Sequence, residues 1–128
     1  METKFNSQIC TTREQSERLL ALGLKRETAD MIYDCLGIYK EEKLYRQIPT
    51  LCDAVSIYDI PAWSLHRLIE MIQEVCPQVV IIFHRVDIRS NVKRIAYSFD
   101  VCDNLYDNIV DCIEWLIKEV YFNEAYLV

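Results

Sequence analysis

Apolar positions fall into helical or strand spacing along most of the chain. Leu19, Leu20 and Leu22 follow Thr12-Arg13-Glu14-Gln15, a T-x-x-Q pattern in which each end of the motif satisfies an orphan backbone N–H. Gly23 stands where a left-handed residue closes such a helix. A second helix is expected around Arg26–Tyr33, so residues 12–34 read as helix, glycine turn, helix, the outline of a helix-turn-helix corner. From Gly37 to Asp59 the apolar residues keep no clean period, and one short strand is expected at Val55-Ser56-Ile57.

The second half is more regular. Ser64 has better capping chemistry than Ala62 for a helix running to about Val75. Leu65, Leu68, Ile69 and Ile72 form its buried stripe, with Arg67, Glu70 and Glu74 facing away, and Pro77 stops it. Val79–His84 is apolar at every second position on both faces, which predicts a strand covered on both sides in the middle of a sheet. Asp87–Asn91 reads as a hairpin loop of about five residues, after which Ile95, Tyr97 and Phe99 alternate with polar or small neighbours. Asp103 is the expected N-cap of a last helix, with Leu105, Ile109, Cys112, Ile113, Leu116, Ile117 and Val120 on its apolar face. Asp107, Asp111, Glu114 and Lys118 occupy the opposite face.

Composition adds bounds. The chain has 128 residues, 52% hydrophobic and 27% charged, the mix of one ordinary globular domain rather than a disordered or collagenous chain. Its longest apolar run is Val79–Phe83, where a membrane span needs about twenty residues. Met1–Asn6 has no apolar h-region, so a cytoplasmic protein is expected. The net charge of −6 lies wholly between Asp100 and Glu124, where seven acids face one lysine. Such a segment repels phosphate, which disfavours general nucleic-acid binding. The basic cluster Arg85, Arg89, Lys93 and Arg94 is offset by Asp87 and reads as a solvated turn. In the second helix of the corner, Glu27, Asp30 and Asp34 would be driven from DNA, with only Lys25 and Arg26 to attract it.

The markers of familiar chemistries are missing. The six cysteines (Cys10, Cys35, Cys52, Cys76, Cys102 and Cys112) contain no C-x-x-C pair and are expected to be reduced, mostly buried thiols. With only Gly23 and Gly37, neither a dinucleotide fingerprint nor a P-loop can be written. Asp103, Asp107 and Asp111 repeat at one helical turn and could stack around a hard cation, but a solvated helix face explains them better. His66 and His84 flank Cys76 in sequence, a pairing with no local signature of a thiol enzyme.

Three stretches carry a resemblance: Glu14–Leu24 with Glu27–Met31, Ile60–Leu65, and Tyr106–Glu119 with Tyr121-Phe122-Asn123. Together they resemble a family of small uncharacterised proteins of Bacteroides-type gut bacteria, often carried on prophages and other mobile elements. Tyr33–Asp59 and Pro77–Asp100 lie outside the likeness. The resemblance implies a context, an accessory protein of a phage or integrated element, and supplies no catalytic residues. It also leads one to expect a glycine after Lys118-Glu119; Val120 stands there, so the helix is expected to run on.

The expected fold is α+β over residues 1–128, with about four helices packed on a small antiparallel sheet. That sheet is built on a hairpin of residues 79–86 and 92–99, with room for a third strand. The expected function is that of a non-enzymatic accessory or protein-interaction protein with no cofactor, no metal and no membrane. Its expected partner is a protein, a basic one suiting the charge, that meets a surface of Asp103, Asp107, Asp111, Glu114, Trp115, Tyr121 and Tyr126. The apolar tail Tyr121–Val128 and the off-stripe aromatics Tyr106 and Trp115 favour a homodimer, against a tail folded back over the corner. The alternatives are a DNA-binding regulator using residues 12–34 and, more distantly, a thiol enzyme.

Overall fold

Thr12 opens the first helix as its sequence prescribes. In the computed structural model, which describes residues 8–39, 42–45, 49–51 and 59–128, the Thr12 hydroxyl accepts from Gln15 N and the Gln15 side chain accepts from Thr12 N. Helix α1 spans Arg13–Ala21 and ends at Gly23, whose φ is 99°. Leu24 N donates to Leu19 O and Gly23 N to Leu20 O, the paired bonds of a Schellman end.

No second helix follows. Arg26–Thr28 is a single 3₁₀ turn, and Met31–Tyr33 is strand β1, so the helix-turn-helix corner and the count of about four helices are corrected. Among the described residues there are three α-helices and two short 3₁₀ turns. The cause is tertiary: Asp30, placed on a helix by its sequence neighbourhood, instead accepts Ser64 N and the Ser64 hydroxyl. Thr28 Oγ accepts the buried indole N–H of Trp63 at 3.0 Å. Ile32 and Tyr33 then suit the extended backbone that these ties impose.

Strands β2 (Cys35–Tyr39) and β3 (Glu42–Tyr45) form an antiparallel pair. Strands β4 (Thr50–Leu51) and β5 (Ile60–Ala62) flank β1 in a three-stranded antiparallel sheet. The expected strand at 55–57 lies outside the described residues. Helix α2 covers Leu65–Gln73 with Ser64 as N-cap, burying Leu68, Met71 and Ile72.

A second three-stranded antiparallel sheet holds β6 (Gln78–Ile82), β7 (Arg85–Ser90) and β8 (Ile95–Phe99), in that order. The expected hairpin boundaries are corrected here. The chain turns at Phe83-His84, and 87–91, read as a loop, lies mostly within the central strand. Strand β6 is therefore an edge rather than the middle, with one face bare: Val80 is 52% and Ile82 43% exposed. Val86, Ile88, Ile95 and Phe99 turn inward.

Helix α3 (Leu105–Lys118) packs across the inner face of this sheet and against α1 and α2. Its cap is Asn104, one residue beyond the expected Asp103. It stops at Lys118, with Val120 exposed at φ 61°, so Val120 ends the helix rather than extending it. Ile109, Val110, Cys112, Ile113 and Leu116 complete the main core with Leu19, Trp63, Leu68 and Ile72. The tail folds back over the end of α1: Leu127 bridges Leu24, Val128 N donates to Gly23 O, and Lys25 N donates to Tyr126 O.

Candidate interaction surface

The sequence places seven residues on the candidate surface, and the fold separates them into three groups. The acids come first. Asp107 accepts Gln15 Nε2 at 2.7 Å, Asp111 accepts Arg18 at 2.6 Å, and Glu114 accepts both Arg18 and Lys118. The polar face of α3 is thus turned in part toward α1, whose Arg18 lies between two carboxylates. Hydrogen bonds from Lys118 and then from Arg18 hold the Glu114 carboxyl below its ordinary range. Asp103 is exposed, and among the described residues it has no such ties.

Tyr126 belongs to the second group, the tail clamp. Its hydroxyl donates to Glu74, which also accepts Asn123 Nδ2 at 2.9 Å, and these bonds hold the Glu74 carboxyl low. The Arg67 guanidinium lies over the Tyr126 ring. Arg67 and Glu74 therefore work against the tail rather than facing empty solvent.

Trp115 and Tyr121 form the third group, and the structure adds a residue to it. The Trp115 ring stacks on Tyr97 of β8 with centroids 5.0 Å apart, meets Phe99 edge-on at 6.2 Å and lies 5.9 Å from Tyr121. This aromatic row runs along the seam between α3 and the outermost strand. Tyr97 is 50% exposed, and Trp115 and Tyr121 are half-buried. Among the described residues no hydrogen bond engages the Trp115 indole N–H or the Tyr97 and Tyr121 hydroxyls. Tyr106, the other off-stripe aromatic, is instead buried, with its hydroxyl donating to Gln8 O and desolvation pushing it up to about 12.

Beside the row, strand β8 has no neighbouring strand on its outer side among the described residues. The turn at Phe83-His84 closes Ile82 on Arg85, and antiparallel pairing alternates from that closing pair. Counted through β7, Ile95, Tyr97 and Phe99 direct their backbone groups into the sheet, and Ala96 and Ser98 direct theirs outward. Neither Ala96 N nor Ser98 N has a hydrogen-bond partner among the described residues. On the bare outer face, Gln78, Val80, Asp87, Arg89, Ala96 and Ser98 line a shallow groove of about 440 Å³, floored by the Ser98–Asp87 hydrogen bond at 2.6 Å.

The residues weighed for chemistry stay apart. Cys76 is fully buried and desolvation pushes its thiol up; among the described residues it bonds to neither histidine. His66 is exposed and lies against Glu70. Burial likewise raises Cys10 and Cys112, and no two of the five described cysteines are disulfide-bonded. Among the described residues no three His, Cys, Asp or Glu side chains converge as a metal site, and no helix is long and apolar enough to cross a membrane. Compared with known proteins, the chain matches no family model, no curated protein and no solved structure.

Proposed function

We propose that this chain is a non-enzymatic accessory protein that works by binding another protein, and that its working surface is the seam of Tyr97, Trp115 and Tyr121 along the open edge of β8. The observation that carries this reading is an aromatic row, partly exposed, whose polar tips and neighbouring outward backbone groups have no partner among the described residues. Aromatic rings supply large contact area at interfaces, and an open strand edge supplies main-chain hydrogen bonds. The acidic residues of α3 have a smaller part in it, because Arg18, Lys118 and Gln15 already take up their oxygens. The sequence resemblance supports the biological context, a phage or integrated element in a Bacteroides-type host. Capture from that host tests the reading, with wild type compared against Tyr121→Ala, whose ring lies at the margin of the row. Partners bound by wild type and lost from a folded Tyr121→Ala protein are the expected outcome. An identical partner set for both proteins contradicts the assignment of the surface.

A further inference from the structure

We infer that the partner at the β8 edge is a second copy of this chain, joined by antiparallel β8–β8 pairing about a two-fold axis at Tyr97. This inference rests on the reading of the seam given above and names its occupant. Three features converge on a symmetric arrangement.

The first is the backbone. With Tyr97 on the axis, Ala96 of one chain lies opposite Ser98 of the other. These are the residues whose N–H and C=O groups point off the sheet. Each chain supplies both donors and acceptors, so the pairing satisfies both edges, and two three-stranded sheets become one of six strands.

The second is charge. The same register sets Arg94 of one chain alongside Asp100 of the other, twice by symmetry. Both are exposed and lie one residue beyond the two ends of β8, so the pairing brings the chain ends that carry them together. No charged residue lies between them in Ile95–Phe99, so self-pairing opposes no like charges. An open edge without proline, bulge or charge lacks the devices that keep strands apart. Strand β6, the other edge, is also uncharged, but its symmetric pairing about Val80 has no opposite charges at its ends and sets Pro77 opposite Phe83.

The third is the aromatic row. On the inner face the axis brings Tyr97 against its own copy, with Trp115 stacked on each Tyr97 ring and Tyr121 tilted against Trp115. The half-exposed rings of two chains then cover one another. The dimer uses the last helix, as its aromatic positions suggest in the sequence, but leaves Tyr126–Val128 folded on their own chain.

Sedimentation velocity across the micromolar range, on the whole chain, tests the pairing. Wild type is expected to pass from monomer to dimer. Asp100→Arg sets two arginines together at each end of the pairing and is expected to weaken dimerisation roughly tenfold. Adding Arg94→Asp restores opposite charges and is expected to recover the wild-type affinity; aspartate tolerates the positive φ of 57° at that position. Ala96→Pro removes an outward N–H and abolishes the dimer; circular dichroism verifies that each variant is folded. A protein that stays monomeric throughout overturns the inference, while leaving the seam to a foreign partner, which the host capture examines separately. A dimer that is indifferent to Asp100→Arg, or not rescued by the second change, places the contact elsewhere and overturns it equally.

Discussion

Val120 has φ 61°, in the left-handed region that β-branched residues rarely occupy. Its N–H donates to Ile117 O, and Tyr121 N donates to Leu116 O, the same pair of bonds that Gly23 makes at the end of α1. The two helix ends thus share one device, with glycine at one and valine at the other. Val120→Gly should raise stability by about 1 kcal/mol, read as a higher urea midpoint, because the strain of a Cβ there is relieved. Gly23→Ala should lower it by a similar ~1 kcal/mol, through conformation alone, since a Cβ at Gly23 meets nothing within 4 Å. Glu114 makes the pH-dependent contribution. Its folded-state carboxyl is held low, so its stabilisation is present above the ordinary value of about 4.3 and is lost as pH falls through the lower folded value. Glu114→Gln should remove about 0.2–1 kcal/mol at neutral pH and flatten the acid limb of the stability curve. An acid limb unchanged by the substitution would show that Arg18 is held by Asp111 alone.

At the scale of elements, Asn108 ties the second sheet to α3. It is fully buried, donating to His84 O and Cys102 O and accepting Cys102 N. Asn108→Ala leaves three backbone groups without that partner and should cost about 3 kcal/mol by chemical denaturation. The tail is also structural, because Leu127 and Val128 extend it against Leu24 and Gly23. Deleting Tyr126–Val128 should therefore lower the unfolding midpoint and leave association of the remaining folded protein unchanged. The elements also show what the sequence discloses. Capping chemistry at Thr12 and Ser64 and the apolar stripe of α3 are local signals, and they place three helices correctly. The second helix of the corner fails because Asp30 and Thr28 are recruited by Ser64 and Trp63, more than thirty residues away. The turn at Phe83-His84 carries no glycine, asparagine or proline, so the signal that locates hairpins is absent. Alternation in β6 reads as two buried faces only because its outward valine and isoleucine stay exposed.

For the whole molecule, two of the three aromatics of the proposed surface are legible in the chain. Trp115 and Tyr121 stand out as aromatics off the stripe of α3, but Tyr97 reads as an ordinary packed strand residue, and only the strand order places it at an edge. The acidic run dominates the sequence, yet Arg18, eighty or more residues upstream, takes up two of its carboxylates. The proposed meeting place is the open edge of β8 with its aromatic row, and the proposed occupant is a second copy of the chain. Residue-resolved amide exchange, followed from dilute to concentrated solution, reads that edge directly. The N–H groups of Ala96 and Ser98 should exchange rapidly in dilute protein and become protected as concentration rises. Those of Val79 and Ile81, which point off the β6 edge by the same alternation, should stay fast throughout. Protection that grows at Val79 and Ile81 instead, or fast exchange at Ala96 and Ser98 at every concentration, would contradict the self-pairing of β8.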